Sequence, residues 1–279
     1  MGGHAFDNIS PVTIQEFLLC NLHIVEKLKA SGITRWQYVG TTGKKPVMGD
    51  IDIAVEFNGT RDELMKNLTQ IGIDHKNMRK FGSNMVSINW DLYDNDTKRI
   101  QVDVMIGDIH YLSWSRYADP TLAICASARN LLLSSWNRFN SIGTNKLTEQ
   151  FVLDWERGLM KARRTKLGKD GCELKAWKTI ESTFVASNAN IISQTLFGSW
   201  PNGYPVSAAD TMTFESVVNT LSATRDYTIV EQFFRSFLKE LPPLIEQTPH
   251  LLGPSPNKMI GEIDSLFSRV IDVHCRLKQ

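Results

Sequence analysis

An acidic pair lies inside an apolar, β-branched run of this chain, at Asp50-Ile51-Asp52-Ile53, and a third acid occupies a similar run, Val102-Asp103-Val104. Side chains two positions apart on a strand point to the same face, so Asp50 and Asp52 would converge. Charge inside apolar strands is unfavourable unless a cation neutralises it. If the two runs form neighbouring strands, the three acids make a site for divalent metal ions that carry a phosphate.

A glycine-containing turn precedes the acidic pair. Gly40-Thr41 follows the predicted strand Trp36–Val39, and eight residues separate it from Asp50. Backbone N–H groups in such a turn can bind phosphate. Lys44 and Lys45 in the same loop either contact phosphate or face solvent, as lysines usually do. A solvated acidic pair on an edge strand is the alternative, but it leaves the third acid in its apolar strand unexplained.

Composition excludes several classes of protein. The 279 residues are 42% hydrophobic and 22% charged, with a net charge of +1, which argues against a chain that coats nucleic acid with its whole surface. The four cysteines show no zinc-binding or disulfide-scaffold spacing. We find neither a signal peptide nor an apolar stretch long enough to span a bilayer. The sequence therefore predicts a soluble, cytoplasmic protein without a membrane partner.

The first part of the chain predicts alternating helices and strands. Ser10-Pro11 is a favourable start for the first helix. Its expected buried face follows a 3.6-residue period and consists of Ile14, Phe17, Leu18, Leu22, Val25 and Leu28. Residues 84–106 predict a β-hairpin that carries the third acid on its second strand. Residues 1–115 are therefore predicted to form an α/β module.

The second part of the chain, residues 116–279, predicts a mainly helical domain that could bind a substrate or acceptor. Asp119-Pro120 is expected to begin a helix, and Pro242-Pro243 is expected to end a later one. Residues 149–164 predict a second small hairpin with Gly158 near its turn.

The order of these features resembles the nucleotidyltransferase superfamily typified by DNA polymerase β. In that superfamily a hydrophobic residue and Gly-Ser or Gly-Gly precede a loop, an Asp-x-Asp or Asp-x-Glu strand, and a third Asp on a later strand. Here Val39-Gly40-Thr41 stands at the Gly-Ser position, with Thr in place of Ser and a slightly shorter loop. The resemblance covers roughly residues 10–110. It implies an α+β fold, in which an N-terminal nucleotidyltransferase-like mixed sheet with flanking helices precedes the mainly helical part.

The resemblance also implies a two-metal site. Asp50 and Asp52 would ligate two Mg²⁺ or Mn²⁺ ions, and Asp103 would ligate the ion near the attacking hydroxyl and could draw its proton. Oxygen ligands suit these cations, and two ions can stabilise both the attacking and the leaving oxygen. The nucleotide phosphates would be held by Gly40, Thr41, Thr42 and Lys44.

The activity implied is transfer of a nucleoside monophosphate from a nucleoside triphosphate such as ATP to an acceptor hydroxyl, with release of pyrophosphate. An RNA or tRNA 3′ end, a protein and a small molecule all remain possible acceptors. The alternative is a catalytically silent scaffold or binding protein with the same fold, for example a viral or toxin–antitoxin component.

A basic segment, residues 161–178, bears on the choice of acceptor. It holds seven Lys/Arg residues against two acids and is flanked by Trp155 and Trp177. Such a patch could bind a polynucleotide through counterion release and base stacking. The alternative is a solvated hairpin with tryptophans in the core. If the chain is an RNA-tailing enzyme, neutralising Arg163, Arg164 and Lys166 is expected to weaken its binding to RNA.

Overall fold

Two units make up the chain, Met1–Leu122 and Ala123–Gln279. The computed structural model describes residues 5–92, 98–122, 124–140, 147–166, 177–247 and 255–277. Both units combine helices with a sheet, which confirms the predicted α+β class. Among the described residues, no helix combines the length and the apolar character needed to cross a bilayer.

The described part of the first unit contains seven strands and three α-helices. The strands are β1 (Val12–Thr13), β2 (Arg35–Tyr38), β3 (Val47–Met48), β4 (Ile51–Glu56), β5 (Met78–Phe81), β6 (Met85–Asp91) and β7 (Arg99–Ile106). The helices are α1 (Ile14–Ala30), α2 (Arg61–Gln70) and α3 (Ile109–Ser115).

Five of these strands form one mixed sheet in the order β2-β4-β7-β6-β5. Only β4 and β7 run parallel to each other; the other neighbouring pairs are antiparallel. The antiparallel pairing of β6 with β7 confirms the predicted hairpin, whose turn at residues 93–97 lies outside the described residues. Short strands β1 and β3 pair separately.

Side-chain alternation divides the sheet into an apolar and a polar face. Ile51, Ile53 and Val55 of β4 enter a core shared with buried residues of α1 and α2. Asp52 of the same strand and Asp103 of β7 project from the opposite face. That polar face is buried as well, so its charges lie in an environment that disfavours them.

The first helix begins later than predicted. Its N-cap is Thr13, whose hydroxyl accepts from the Glu16 amide while the Glu16 carboxylate accepts from the Thr13 amide. Ser10 instead donates its N–H to the Arg99 carbonyl, 2.7 Å away. The expected start at Ser10-Pro11 is therefore wrong, because this dipeptide belongs to an extended segment that lies along β7.

The predicted buried face of α1 is also partly wrong. Phe17 and Leu28 are buried as predicted, but Leu18 and Leu22 are 63% and 67% exposed. Cys20 and Ile24 complete the buried face instead. This helix carries apolar residues on two faces. Periodicity alone could not choose between them, and packing against the sheet made the choice.

The second unit combines a small sheet with five helices among its described residues. Its strands are β8 (Leu147–Asp154), β9 (Gly158–Lys166) and β10 (Trp177–Ala186), in the antiparallel order β10-β9-β8. The helices are α4 (Ala126–Asn140), α5 (Ala189–Phe197), α6 (Phe214–Thr224), α7 (Tyr227–Gln247) and α8 (Pro256–Leu277). The predicted hairpin at 149–164 is confirmed, and β10 adds a strand that was not predicted.

Two predicted helix boundaries in this region are wrong. Asp119 does not begin a helix; its carboxylate accepts from the amide and hydroxyl of Thr121, and α4 starts at Ala126. Helix α7 continues through Pro242 and Pro243. The rings of both prolines face solvent, while the apolar side of α7 stays buried in an aromatic core. In that core Phe234 stacks on Phe267 with ring centroids 4.0 Å apart.

Candidate metal centre

The three acids meet where β4 and β7 run side by side. Asp50 immediately precedes β4, and Asp52 on β4 is the register partner of Asp103 on β7. One carboxylate oxygen from each of the three residues lies within 4.8 Å of the others. The expected convergence is therefore confirmed, and it follows from a parallel pairing without a register offset between Asp52 and Asp103.

The acids lie away from water. Asp50 and Asp103 are each only 4% exposed, and Asp52 is partly buried. Burial and then the adjacent Asp103 carboxylate raise the pKa of Asp52 to about 6, while Arg116 and Lys44 act in the opposite direction. Three desolvated carboxylates at this spacing provide the oxygen donors that Mg²⁺ and Mn²⁺ prefer. The donor set therefore fits a divalent cation.

Asp103 has its own set of polar neighbours. Burial raises its pKa, while the polar side chains of Ser87 and Gln101 and the positive charge of Arg116 lower it. Ser87 is fully buried and is the register partner of Asp103 on β6. The amide Nε2 of Gln101 lies 2.9 Å and 3.0 Å from the two carboxylate oxygens of Asp103.

The turn at Gly40 is built against Asp52. Gly40 has φ +62, and a Cβ at this position would lie 2.5 Å from Oδ2 of Asp52. Next to it, the buried hydroxyl of Thr42 accepts from the Asp52 amide at 2.8 Å. The Val39 amide donates to the Asp52 carbonyl at 3.0 Å. These contacts attach the loop to the strand that carries the acids.

The other predicted loop residues have different environments. Thr41 is partly buried, and its carbonyl accepts from the Lys44 amide at 3.0 Å. The Lys44 ammonium donates to the Gly40 carbonyl at 2.9 Å and lies 4.9 Å from the ring centroid of Tyr117. Lys44 therefore folds back over the Gly40 turn. Burial lowers its pKa and the Asp52 carboxylate raises it, so the two charges are close enough to interact.

Arg116 is a site residue that sequence reasoning missed. It caps the C-terminal end of α3, and its charge acts on both Asp52 and Asp103. No local pattern could reveal this role, because Arg116 reaches the acids only through the placement of α3 beside the sheet.

The remaining basic residues of interest lie elsewhere. Lys80 forms an ion pair with Asp62 at 2.6 Å. In the basic segment 161–178, Lys161 pairs with Glu149 at 2.7 Å. Residues 167–176 and the side chains of Arg164 and Lys166 lie outside the described part of the chain. The role of this segment stays a prediction.

The raised pKa of Asp52 predicts a pH dependence of stability. The folded protein binds this proton more tightly than the unfolded chain, so the free energy of unfolding falls as pH rises from about 4 to 6. Asp103 acts in the same direction. Urea unfolding of the metal-free protein between pH 4.5 and 7.5 measures the effect. A flat or rising profile between pH 5 and 7 contradicts it. Metal binding near pH 6 should release protons, because the ligands must be deprotonated.

Comparison with known proteins leaves the family open. No family model matches the chain, and no curated protein matches it. Among solved structures, the chain is similar to polymerase beta from Leishmania infantum in a ternary gap complex, with 14% identity and a TM-score of 0.38. The match covers 57% of this chain and 52% of the polymerase, so it spans about half the length of that protein.

Proposed function

We propose that this chain is a metal-dependent nucleotidyltransferase that transfers a nucleoside monophosphate from a nucleoside triphosphate to an acceptor hydroxyl. The observation that carries the proposal is the convergence of Asp50, Asp52 and Asp103 within 4.8 Å. The turn at Gly40 and the ammonium of Lys44 lie beside this cluster, and both can bind phosphate. The Gly40 turn and the three acids also stand at the positions of the nucleotidyltransferase sequence pattern, Val39-Gly40-Thr41 followed by Asp50, Asp52 and Asp103.

In this proposal the three carboxylates hold two divalent ions, Mg²⁺ or Mn²⁺. Such ions neutralise phosphate charge and lower the barrier to in-line displacement when bound. The desolvated carboxylates supply the negative charge that retains them. Metal binding would require no change in the strands, because the three carboxylates already converge.

The chain's own residues position the nucleotide. The Gly40 turn, with Thr41, would bring main-chain N–H groups to the β- and γ-phosphates. Thr42 would contribute its side chain, because its N–H donates to the Val39 carbonyl at 3.2 Å. Lys44 would add a positive charge at the same place, since its ammonium already rests on the Gly40 carbonyl. The Thr42 hydroxyl accepts from the Asp52 amide, so Thr42 also links the phosphate loop to the metal ligands.

The reaction is a single displacement at the α-phosphorus. The acceptor oxygen forms the new P–O bond, the bond between the α-phosphorus and its bridging oxygen breaks, and pyrophosphate leaves. The acceptor proton passes to a carboxylate oxygen of Asp103, whose pKa burial raises. We propose that the first unit carries this chemistry and that the second unit binds the acceptor.

An assay with α-labelled nucleoside triphosphates tests the proposal. Each of the four is incubated with Mg²⁺ or Mn²⁺, the protein, and either cell RNA, cell protein or small-molecule extract. We expect metal-dependent transfer of label into one fraction, and that fraction identifies the acceptor class. The Asp50→Asn plus Asp52→Asn variant is the control and should transfer no label. Absence of both transfer and metal-dependent nucleotide binding would favour the silent scaffold instead.

A further inference from the structure

The N-terminal strap, defined here as residues 5–10, lies against the polar face of the sheet. The Phe6 ring faces the Arg79 guanidinium of β5, with 5.6 Å between the guanidinium carbon and the ring centroid. Asn8 Oδ1 accepts from Nδ2 of the buried Asn89 on β6 at 3.1 Å. The strap therefore contacts two strands on the same side of the sheet as the acids.

A third contact connects the strap with the metal centre. The Ala5 amide donates to Gln101 Oε1 at 2.9 Å, and Gln101 Nε2 donates to both oxygens of Asp103. Gln101 is 4% exposed, so water does not compete freely for these bonds. The Ala5 N–H can only donate, which fixes which end of the side-chain amide faces Asp103.

The side-chain amide of Gln101 is well suited to orient the Asp103 carboxylate as a metal ligand. A neutral amide orients the carboxylate without cancelling its negative charge, whereas a lysine or arginine would compete with a bound cation. Each carboxylate oxygen has a further lone pair available after accepting one hydrogen bond. Partners of this kind fix ligand orientation and are worth 10- to 100-fold in metal affinity in other proteins.

We propose that Gln101 is a positioning residue for Asp103, and that the Ala5 amide of the N-terminal strap sets the orientation of Gln101. The strap is thus part of the metal centre, although it is remote in sequence from all three acids. This inference rests on the metal site of the proposed function. It adds a dependence of metal affinity on a backbone N–H near the N-terminus.

Mn²⁺ titration calorimetry on the full chain tests the proposal. Gln101→Leu removes the donor and is expected to weaken Mn²⁺ binding by about 10- to 100-fold. Ala5→Pro replaces the amide hydrogen with the ring Cδ, which breaks the bond to Gln101 Oε1, and should weaken binding in the same direction. Ala5→Gly keeps that hydrogen and should bind like the unsubstituted chain. The Ala5→Pro variant leaves the core intact, so it remains informative if Gln101→Leu fails to fold.

The double variant separates positioning from a general loss of stability. If Ala5 acts through Gln101, Ala5→Pro has no further effect on the Mn²⁺ dissociation constant in the Gln101→Leu background. Additive effects of the two substitutions on Mn²⁺ affinity would overturn the positioning role. Unchanged Mn²⁺ affinity in either Ala5→Pro or Gln101→Leu would overturn it as well. Both results would leave the metal site itself intact. If the unsubstituted chain binds no Mn²⁺, or Asp103→Asn binds equally well, the proposed metal site fails and the positioning role fails with it.

Discussion

Asp52→Asn is expected to change stability in opposite directions with and without metal. Without metal, the substitution removes a carboxylate whose pKa is raised from 3.8 to about 6. At pH 7 that shift corresponds to a destabilisation of up to about 3 kcal/mol, so the metal-free variant should be more stable than the original chain. With metal, the variant should lose the stabilisation that Mn²⁺ gives, because a ligand is missing.

Thermal melts with and without Mn²⁺ measure both effects. Nucleotidyl transfer should fall about 10³-fold or more, since several kcal/mol of charge stabilisation are lost. Glu56→Gln is the matched control: Glu56 lies on the same strand and forms a partly exposed ion pair with Arg35 at 2.7 Å. Such pairs contribute about 0–1 kcal/mol, so the Mn²⁺ response should be unchanged. A full Mn²⁺ response in Asp52→Asn contradicts the assignment of this residue as a ligand.

Gly40→Ala is expected to damage the metal centre from outside the ligand set. The residue has φ +62, where a non-glycine residue costs about 1–2 kcal/mol. In addition, the new Cβ would lie 2.5 Å from Oδ2 of Asp52. Because atoms cannot approach that closely, the Asp52 carboxylate or the loop must move. We expect Mn²⁺ affinity to fall about tenfold or more together with the stability.

Gly72→Ala provides the control for backbone strain. Gly72 has φ +94, and a Cβ there would meet nothing within 4 Å. This variant should lose stability through its backbone conformation but retain Mn²⁺ affinity. Chemical denaturation and Mn²⁺ calorimetry on both variants distinguish the two contributions. Equal Mn²⁺ affinities in the two variants would falsify the close approach of Gly40 to the ligand.

Local sequence pattern predicted the part of the site that depends on strand geometry. Strand alternation predicted that Asp50 and Asp52 share a face, and the two converge although Asp50 lies just before β4. An acid between valines requires compensation in any fold. Pattern did not predict α1 equally well. Helical periodicity cannot distinguish between its two apolar faces. Packing against the sheet buries one of them and leaves Leu18 and Leu22 exposed.

The surroundings of the acids could not be predicted for a related reason. Arg116 and the N-terminal strap carry no local signal of a role at the site, because each acts through a contact between distant segments. Gln101 lies two residues from Asp103 on β7, so strand alternation places both on one face, but only the structure revealed that the Ala5 amide binds Gln101. Thr42 shows the same limit: its position in the loop suggested phosphate contact, and only the structure revealed the bond to the Asp52 amide.

The sequence by itself therefore determined which groups carry charge into the sheet, since residue type and two-residue alternation are local properties. Only the tertiary structure decided that β4 and β7 are parallel neighbours, with Asp52 opposite Asp103. It alone also placed the Gly40 turn against Asp52 and the Ala5 amide against Gln101. Strand order, register and the approach of distant segments depend on the packing of the whole unit, which no short stretch of sequence encodes.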